Sequence, residues 1–276
     1  MSDRIPKKEN GTASGARTLL VTGASSATGR ALIRRVAYGY DTVFAHYNHG
    51  AEAIRELRDA VAGDAGSHEG AKHVPEIIPV QADFADEQST RACIDAVLAT
   101  GKQPCHIVHL SAERAGWKKF AQFTWPDYQN GIDVSLRTAV LLAQAFVPAM
   151  AKAKYGRVVF MLTAFLCGTE PKYMSPYITA KHALYGLMQN LAAEYREKQV
   201  CFNAVSPEMI DTPFVEQVPE PARRLAAEQS RTGKLLSPED VVPAIAYLLS
   251  EEADAVTGEN IYVGSSGEWK KIKHAV

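Results

Sequence analysis

The sequence predicts a doubly wound α/β domain, with helices on both faces of a seven-stranded parallel sheet. Short apolar runs rich in β-branched residues alternate with amphipathic helical segments along most of the 276 residues. Such alternation is typical of parallel βαβ units, whose crossover helices cover the sheet. No linker, internal repeat or low-complexity block interrupts the pattern. We therefore expect a single domain that binds its ligands beyond the carboxyl ends of the strands.

Seven runs have the composition expected of buried strands, and six intervening stretches have helical spacing of their apolar residues. The predicted strands occupy residues 18–22, 41–47, 77–81, 106–110, 157–162, 200–205 and 260–263. The predicted helices occupy residues 28–37, 51–62, 85–99, 125–152, 177–198 and 238–250. Residues 206–236 are predicted to be irregular, with short helical pieces.

Local signals support two of these helices. In the second predicted helix, Ile54, Leu57 and Val61 recur at helical spacing and would form one buried face. In the long helix, Pro126 falls in the first turn, where a backbone N–H has no partner within the helix and proline is tolerated.

Composition and charge exclude several classes of protein. Hydrophobic residues make up 46% and charged residues 22% of the chain, a balance that disordered chains lack. The net charge of −1 gives no basis for nucleic acid or an anionic membrane as a partner. No run looks apolar enough over the roughly 18–20 residues of a membrane span. The four cysteines form no CxxC pair, so we expect reduced thiols in a cytoplasmic protein.

The expected domain occupies residues 17–267. Residues 1–16 are polar and contain no apolar segment typical of a secretory signal, so we expect a disordered N-terminal arm. Residues 268–276 form a short C-terminal tail.

A turn containing two glycines joins the first strand to the first helix. Residues 21–30 read VTGASSATGR, in which the glycines are Gly23 and Gly29. Backbone N–H groups in such a turn can approach a pyrophosphate closely, and the helix N-terminus adds about half a positive charge. Because the turn follows a strand and precedes a helix, nucleotide binding is favoured over a purely structural turn.

A tyrosine and a lysine stand four residues apart in a predicted helix, at Tyr177 and Lys181. At that spacing the two side chains share one face. An ammonium group nearby favours phenolate and should lower the tyrosine pKa from about 10. Such a tyrosine can give a proton to a carbonyl oxygen, or take one from an alcohol, near neutral pH.

Together the glycine turn and YxxxK resemble the short-chain dehydrogenase/reductase family. Asp83 in QADF, the strand GRVVFMLT, the loop FNAVSPEMIDTPF and the C-terminal stretch SPEDVVPAIAYLLSEEADAVTGENIYVGSSG follow in the family's order. The nearest branch contains single-domain enzymes similar to 3-oxoacyl-[acyl-carrier-protein] reductases. The resemblance implies a Rossmann-type fold and an NAD(P)H-dependent oxidoreductase, a ketoreductase that interconverts a ketone or aldehyde and an alcohol.

The resemblance also implies a role for each matching residue. Tyr177 would donate the proton, Lys181 would lower its pKa and hold the nicotinamide ribose, Thr163 would bond the reacting oxygen, and Ser135 would complete a proton relay. Because Thr163 lies one residue farther from Tyr177 than the family's serine does, Ala164 is the alternative position. The expected cofactor contacts are Gly23, Ser25, Ser26, Ala27, Thr28, Gly29, Tyr47, Asn48, His49, Asp83, Phe84, Ser111, Ala112, Tyr177, Lys181, Pro207, Ile210 and Thr212.

Four positions depart from the family's pattern. Ala27 replaces the middle glycine of TGxxxGxG, and His109 begins HLSA where the family has NNAG. Ser135 stands where the family has an active-site asparagine, and Glu208 replaces the glycine of a Pro-Gly pair. These departures keep a second hypothesis open, a protein of this fold with lost or altered chemistry that acts as a binding subunit. Tyr177 and Lys181 favour the enzyme, because a scaffold has no need of that pair.

The end of the second predicted strand favours NADP over NAD. NAD enzymes of this fold usually end that strand with an acid that binds the ribose hydroxyls, but no acid occurs between Asp41 and Glu52. The aligned residue is Tyr47. A 2′-phosphate would meet no repulsion there and could bond the next residues, Asn48 and His49, with Arg30 close by. NAD remains the alternative, because Ser26 stands where many NADP enzymes have a basic residue.

The substrate class and the assembly follow from the resemblance. We expect a small-molecule or acyl-carrier-bound carbonyl substrate, with 208–236 as a lid, and a homodimer or homotetramer formed through the two long helices. The segment FAHYNHGAEA resembles a stretch of pteridine reductases, which gives a further alternative substrate. We expect no metal, because each of the two HxxH pairs begins on a strand, where residues three apart face opposite ways.

Overall fold

The computed structural model describes residues 17–64, 73–114, 116–167 and 171–264. It contains the predicted parallel sheet of seven strands, in the order β3-β2-β1-β4-β5-β6-β7. The strands are β1 (Thr18–Thr22), β2 (Thr42–Tyr47), β3 (Glu76–Gln81), β4 (His106–His109), β5 (Gly156–Met161), β6 (Val200–Pro207) and β7 (Asn260–Val263). The predicted arm at 1–16 and tail at 268–276 lie outside the described residues.

Helices cover both faces of the sheet, as predicted. They are α1 (Ala27–Val36), α2 (Ala51–Gly63), α3 (Glu87–Ala99), α4 (Trp125–Ile132), α5 (Thr138–Ala153), α6 (Ser175–Glu194), α7 (Glu220–Gln229) and α8 (Pro238–Leu249). The single long helix predicted over 125–152 differs, because a five-residue π turn (Asp133–Arg137) separates α4 from α5. The segment 206–236, predicted to be irregular with short helical pieces, contains the ten-residue helix α7.

The apolar core forms two layers, one on each face of the sheet. Every residue of β1 is buried, and alternate residues enter opposite layers. Leu20 joins the layer under α3, α5 and α6, whereas Leu19 and Val21 join the layer under α1, α2 and α8. Strands buried on both faces have continuous apolar sequences, because neither face meets water. This is why the strands could be recognised as apolar runs.

The strand order reverses direction at β1. The chain passes from β1 to β2 on one side, and β4 pairs with β1 on the other. Crossovers on the two sides of such a point diverge and leave a crevice beyond the carboxyl ends of the strands. The glycine turn follows β1 and therefore lies at this crevice.

Polar residues near the amino ends of the central strands β4 and β5, opposite the crevice, are paired with other side chains. His106, at the start of β4, forms hydrogen bonds with two tyrosine hydroxyls. Its Nδ1 lies 2.6 Å from the hydroxyl of Tyr40, and its Nε2 lies 3.0 Å from the hydroxyl of Tyr155. The buried Arg157 pairs with Asp254. His106 therefore stabilises the amino end of the sheet, and its hydrogen bonds are to Tyr40 and Tyr155 and not to His109.

The segment Trp125–Ala153 contradicts the expectation that no run is apolar enough to span a membrane. It is long and apolar enough by composition to cross a membrane, which the sequence analysis did not anticipate. In this fold, Leu142, Phe146 and Met150 of α5 are buried in the core against the sheet. Packing within the domain therefore accounts for the apolar composition of this helix.

Candidate active site

A cleft of about 710 Å³ lies along the carboxyl ends of the strands. The glycine turn, the ends of β2, β3, β4 and β5, the start of α6 and the chain after β6 all contribute to its walls. The structure brings most of the predicted site residues together here: Gly23, Ser25, Ser26, Ala27, Thr28, Asn48, His49, Asp83, Phe84, Ser111, Ala112, Thr163, Tyr177, Lys181, Pro207, Ile210 and Thr212.

Three predicted site residues do not line the cleft. Gly29 faces the turn itself, where a Cβ would lie 2.5 Å from the carbonyl oxygen of Gly23, so its role is close packing of α1. Tyr47 packs against the apolar layer under α1 and α2, which leaves Asn48 and His49 to form the wall. Ser135 is buried in the π turn, below the cleft surface.

The glycine turn is held by hydrogen bonds at both ends. Gly23 has φ +67°, a left-handed conformation that glycine adopts without strain. Ser26 is the N-cap of α1, and its hydroxyl accepts from the N–H of Gly29 at 3.0 Å. The N-terminus of α1 therefore opens onto the cleft wall, a position that favours a phosphate.

His46 anchors the turn to the neighbouring strands, a role that sequence reasoning missed. Its Nδ1 accepts from the N–H of Gly23 at 3.1 Å, and its Nε2–H therefore donates to the carbonyl of Ala82 at 3.2 Å. The ring stacks on Phe84 at 3.7 Å. Burial lowers the pKa of His46 to about 4, so the ring is neutral. The only signal in the sequence was a histidine near the end of an apolar strand.

Tyr177 and Lys181 both project from the first half of α6 into the cleft. The Nζ of Lys181 donates to the carbonyl of Met161 at 2.7 Å and lies 5.7 Å from the centre of the Tyr177 ring. Desolvation lowers the pKa of Lys181 to about 7. Desolvation raises the pKa of Tyr177 to about 12, and a hydrogen bond with Thr163 partly opposes that rise.

The predicted lowering of the Tyr177 pKa by Lys181 is therefore wrong for this geometry. Burial disfavours the charged form of each group, and it is the largest cause of both shifts. At neutral pH, Tyr177 carries its proton, and Lys181 is close to the midpoint of its titration. Tyr177 is thus ready to donate a proton.

Thr163 and Ala164 differ in their position relative to the cleft. Thr163 follows β5 and lines the cleft, and its side chain is the hydrogen-bond partner that lowers the pKa of Tyr177 against the effect of burial. Ala164 begins a short 3₁₀ turn and does not line the cleft. The hydroxyl next to Tyr177 therefore belongs to Thr163.

Further side chains line the cleft without a preceding sequence signal. They come from the chain after β4 and β5, from the residue before α6, from the end of α4 and from the π turn, where no short motif marks a residue. They include Glu113, Arg114, Asn130, Val134, Phe165 and Met174. Within the described residues, no group of three His, Cys, Asp or Glu side chains could hold a metal ion.

Comparison with known proteins identifies relatives over most of the chain. The family model described as Enoyl-(Acyl carrier protein) reductase matches residues 37–265. The chain is 28% identical over 247 residues to a (3R)-3-hydroxyacyl-CoA dehydrogenase of Mus musculus, covering 88% of this chain and 93% of that protein. It is 28% identical over 249 residues to a 3-oxoacyl-[acyl-carrier-protein] reductase of Aquifex aeolicus, covering 88% and 94%.

Solved structures share the fold. Levodione reductase superposes with a TM-score of 0.80 at 23% identity, covering 92% of this chain and 98% of that chain. A 3-oxoacyl-[acyl-carrier protein] reductase from Brucella melitensis superposes with a TM-score of 0.78 at 21% identity, covering 95% of each chain. These likenesses confirm the doubly wound architecture.

Gly29→Ala should disrupt the turn, because the added Cβ would lie 2.5 Å from the Gly23 oxygen and 2.7 Å from the Ala24 Cα. Backbone atoms cannot yield as a side chain can, so α1 must move away. We expect a loss of about 1–3 kcal/mol in stability and weaker binding of the nicotinamide cofactor, measured by thermal melting and by cofactor fluorescence. Ala27→Gly, which removes a methyl from the cleft wall, is the control and should bind at least as tightly as the wild type. Equal binding by wild type and Gly29→Ala would contradict the packing role.

Lys181→Met should stabilise the protein most at low pH. The folded-state pKa of Lys181, about 7, lies below the unfolded value of 10.5, so between these values the unfolded state holds the extra proton. Wild-type stability therefore rises with pH across this window, and the methionine variant lacks that rise. Urea denaturation at about pH 6 and about pH 9.5 measures the difference. An advantage of the variant that did not shrink with rising pH would contradict the lowered pKa.

Proposed function

Because the chain belongs to the short-chain dehydrogenase/reductase family of oxidoreductases, we propose that it is an NADPH-dependent reductase of 3-oxoacyl thioesters. The observation that carries the proposal is the meeting of Thr163, Tyr177 and Lys181 at one part of a cleft whose other part is the glycine turn. The cofactor would supply a hydride to the carbonyl carbon. Atoms balance when one proton joins the carbonyl oxygen, which gives an alcohol.

Tyr177 supplies that proton in the proposed reaction. Its raised pKa keeps the phenol protonated at neutral pH, and the developing alkoxide is a stronger base than phenolate, so transfer is favourable. The Thr163 side chain, which lowers the pKa of Tyr177 against the effect of burial, would share its hydroxyl with the reacting oxygen. That oxygen would then receive hydrogen bonds from two groups as negative charge develops on it.

Lys181 would hold the cofactor ribose and restore the proton of Tyr177. Its Nζ donates one hydrogen bond to the carbonyl of Met161, which fixes the amine at the cleft wall. Its other hydrogens would bond the ribose. With a pKa of about 7, the amine can give and take a proton at neutral pH. Ser135, buried outside the cleft lining, is left out of this proton path.

The cofactor end of the cleft supports NADPH. The described residues that line it at the end of β2 are Asn48 and His49, neither of which is acidic. Arg30 also lines the cleft, and its guanidinium donates to the carbonyl of Ser25 at 2.9 Å. That bond places a cation beside the turn, where a 2′-phosphate on the adenosine would be attracted to it.

The thioester substrate is proposed from the relatives. The two proteins compared above are named for 3-hydroxyacyl-CoA and for 3-oxoacyl groups on acyl carrier protein. The chain would act in the cytoplasm as a homodimer or homotetramer formed through its long helices. Glu208 lines the cleft where the family has a glycine, and the segment 208–236 around it would select among acyl groups.

Thr163→Val should lower turnover by roughly 10²–10³-fold, because it removes a donor to the developing negative charge. Thr163→Ser should retain much of the activity, and cofactor affinity should barely change in either variant. NADPH oxidation measured by absorbance with a panel of a 3-oxoacyl thioester, a 2-enoyl thioester, a simple ketone and a pteridine gives both turnover and substrate class.

Tyr177→Phe is the companion variant, and the same assay should show a loss of activity because the phenol that donates the proton is gone. If it kept full activity, the tyrosine chemistry would be refuted and the binding-subunit hypothesis favoured.

Asn48→Asp should reduce the preference for NADPH over NADH by about tenfold or more, because a carboxylate at the end of β2 repels a 2′-phosphate and accepts from ribose hydroxyls. Asn48→Ser is the control, since it changes the side chain without adding charge. Fluorescence titration with both cofactors measures the ratio of dissociation constants. A ratio unchanged in Asn48→Asp would show that the 2′ position lies elsewhere, and a wild type that binds NADH more tightly would overturn the NADPH proposal.

A further inference from the structure

His109 lies at the carboxyl end of β4 and connects three parts of the site. It is 1% exposed. Its Nδ1 lies 2.9 Å from the hydroxyl of Thr22 at the end of β1, and its Nε2 lies 2.9 Å from the carbonyl oxygen of Ser135 in the π turn. The ring therefore spans from the start of the glycine turn to the helix on the other side of the cleft floor.

The surrounding hydrogen bonds determine which ring nitrogen carries the proton. The hydroxyl oxygen of Thr22 already accepts from the N–H groups of Leu110 (3.1 Å) and Ser111 (3.2 Å). Since both acceptor positions of that oxygen are used, its own hydrogen is the one directed at His109. Nδ1 is then the acceptor, and Nε2–H donates to Ser135.

This tautomer is stable because the ring does not titrate near neutral pH. Burial, with the charge of Lys181 as the next contribution, lowers the pKa of His109 to about 3. A neutral imidazole with one donor and one acceptor matches its two neighbours. His109 is thus a fixed bridge in this fold, unlike Lys181, which can exchange protons.

The carbonyl that His109 holds belongs to an irregular part of the helix. In a π turn the normal ladder of helix hydrogen bonds is broken, and such turns occur frequently at functional sites. Asp133–Arg137 is that turn, and α6 packs against both α4 and the π turn. The two helices lie close together at Gly131, where an added Cβ would be in ordinary contact, 3.7 Å, with the Cβ of Ala180. The π turn therefore supports the helix that carries Tyr177 and Lys181.

The same turn also touches the opposite end of the cleft. Arg137 pairs with Asp133 at 2.7 Å, and its guanidinium donates to the carbonyls of Phe84 and Ala85, each at 2.9 Å. Phe84 and Ala85 line the cleft next to Asp83. The π turn is therefore fixed from two sides, by Arg137 and by His109.

We propose that His109 is a positioning residue for the reaction proposed above, on which this inference rests. Its Nε2–H holds the Ser135 carbonyl, and with it the π turn that supports Tyr177 and Lys181. Its Nδ1 holds Thr22, which in turn fixes the backbone of Leu110 and Ser111 at the cofactor wall. The two nitrogens thus serve different parts of the site, the first the reacting groups and the second the cofactor.

Two substitutions separate these roles. The amide of His109→Asn can reach the Nδ1 position and keep the bond with Thr22, but it is too short to reach Ser135. The amide of His109→Gln can reach the Nε2 position and donate to Ser135, but it gives up the bond with Thr22. Each variant is therefore the matched control for the other.

We expect His109→Asn to lower kcat by about tenfold with KM for NADPH close to that of the wild type. His109→Gln should keep kcat near the wild-type value and raise KM for NADPH by several-fold. Steady-state kinetics with the best substrate of the panel measures both. Equal loss of kcat in the two variants, or wild-type kinetics in both, would overturn the inference, because a merely structural role does not divide in this way.

Hydrogen exchange distinguishes this inference from the proposed function. Amides of residues 133–140 should exchange faster in His109→Asn than in His109→Gln, whether or not the wild type reduces any substrate of the panel. A wild type inactive on the whole panel would contradict the proposed function alone. Unchanged exchange in His109→Asn would contradict the bridge to Ser135.

Discussion

The hydroxyl of Thr22 makes the hydrogen bonds on which the cleft depends. Beyond the carboxyl ends of β1 and β4, backbone N–H groups that are partly buried need hydrogen-bond partners outside the strand ladder. Thr22 accepts from two of them, at Leu110 and Ser111, and donates to His109. One side chain thereby joins the glycine turn to the loop after β4. The two predicted cofactor walls can face each other because this junction holds them.

Two buried histidines also form hydrogen bonds with polar groups beyond the strand ends, and so join the neighbouring strands. His46 joins Gly23 to the end of β3 through Ala82, and His109 joins Thr22 to the π turn. Each is neutral because burial lowers its pKa, and each offers one donor and one acceptor at a fixed separation. An aliphatic side chain at either position would remove the hydrogen bond to the N–H of Gly23 or to the carbonyl of Ser135. Burial here supports the precision of the site as well as the stability of the core.

The sequence predicted the architecture well, because strands buried on both faces are visible as apolar runs. The bounds of β1 and β7 match those predicted, and the main site motifs lie at strand and helix ends. The π turn could not be predicted, since one extra residue in a helical turn hardly disturbs the spacing of apolar residues. The side-chain directions at the end of β2 could not be predicted either. Asn48 lines the cleft and Tyr47 packs against the core, and both directions depend on where β2 ends. The pKa of Tyr177 was mispredicted because helical spacing places Lys181 nearby but says nothing about desolvation.

Desolvation raises the pKa of Tyr177 and lowers the pKa of Lys181, and it also reduces the stability of the folded state. A buried lysine with a pKa near 7 destabilises the folded state wherever the unfolded chain would keep the proton, and its hydrogen bond to the carbonyl of Met161 compensates part of that cost. Helix α6 bears that cost while also burying Leu184 and Met188 in the core. Its apolar face supplies stability and its first turns hold the reacting groups, so α6 needs rigid support from α4 and the π turn. A hydrogen bond from a neutral, non-titrating donor suits that support, because a titrating one would weaken it over the same pH range in which Lys181 exchanges its proton.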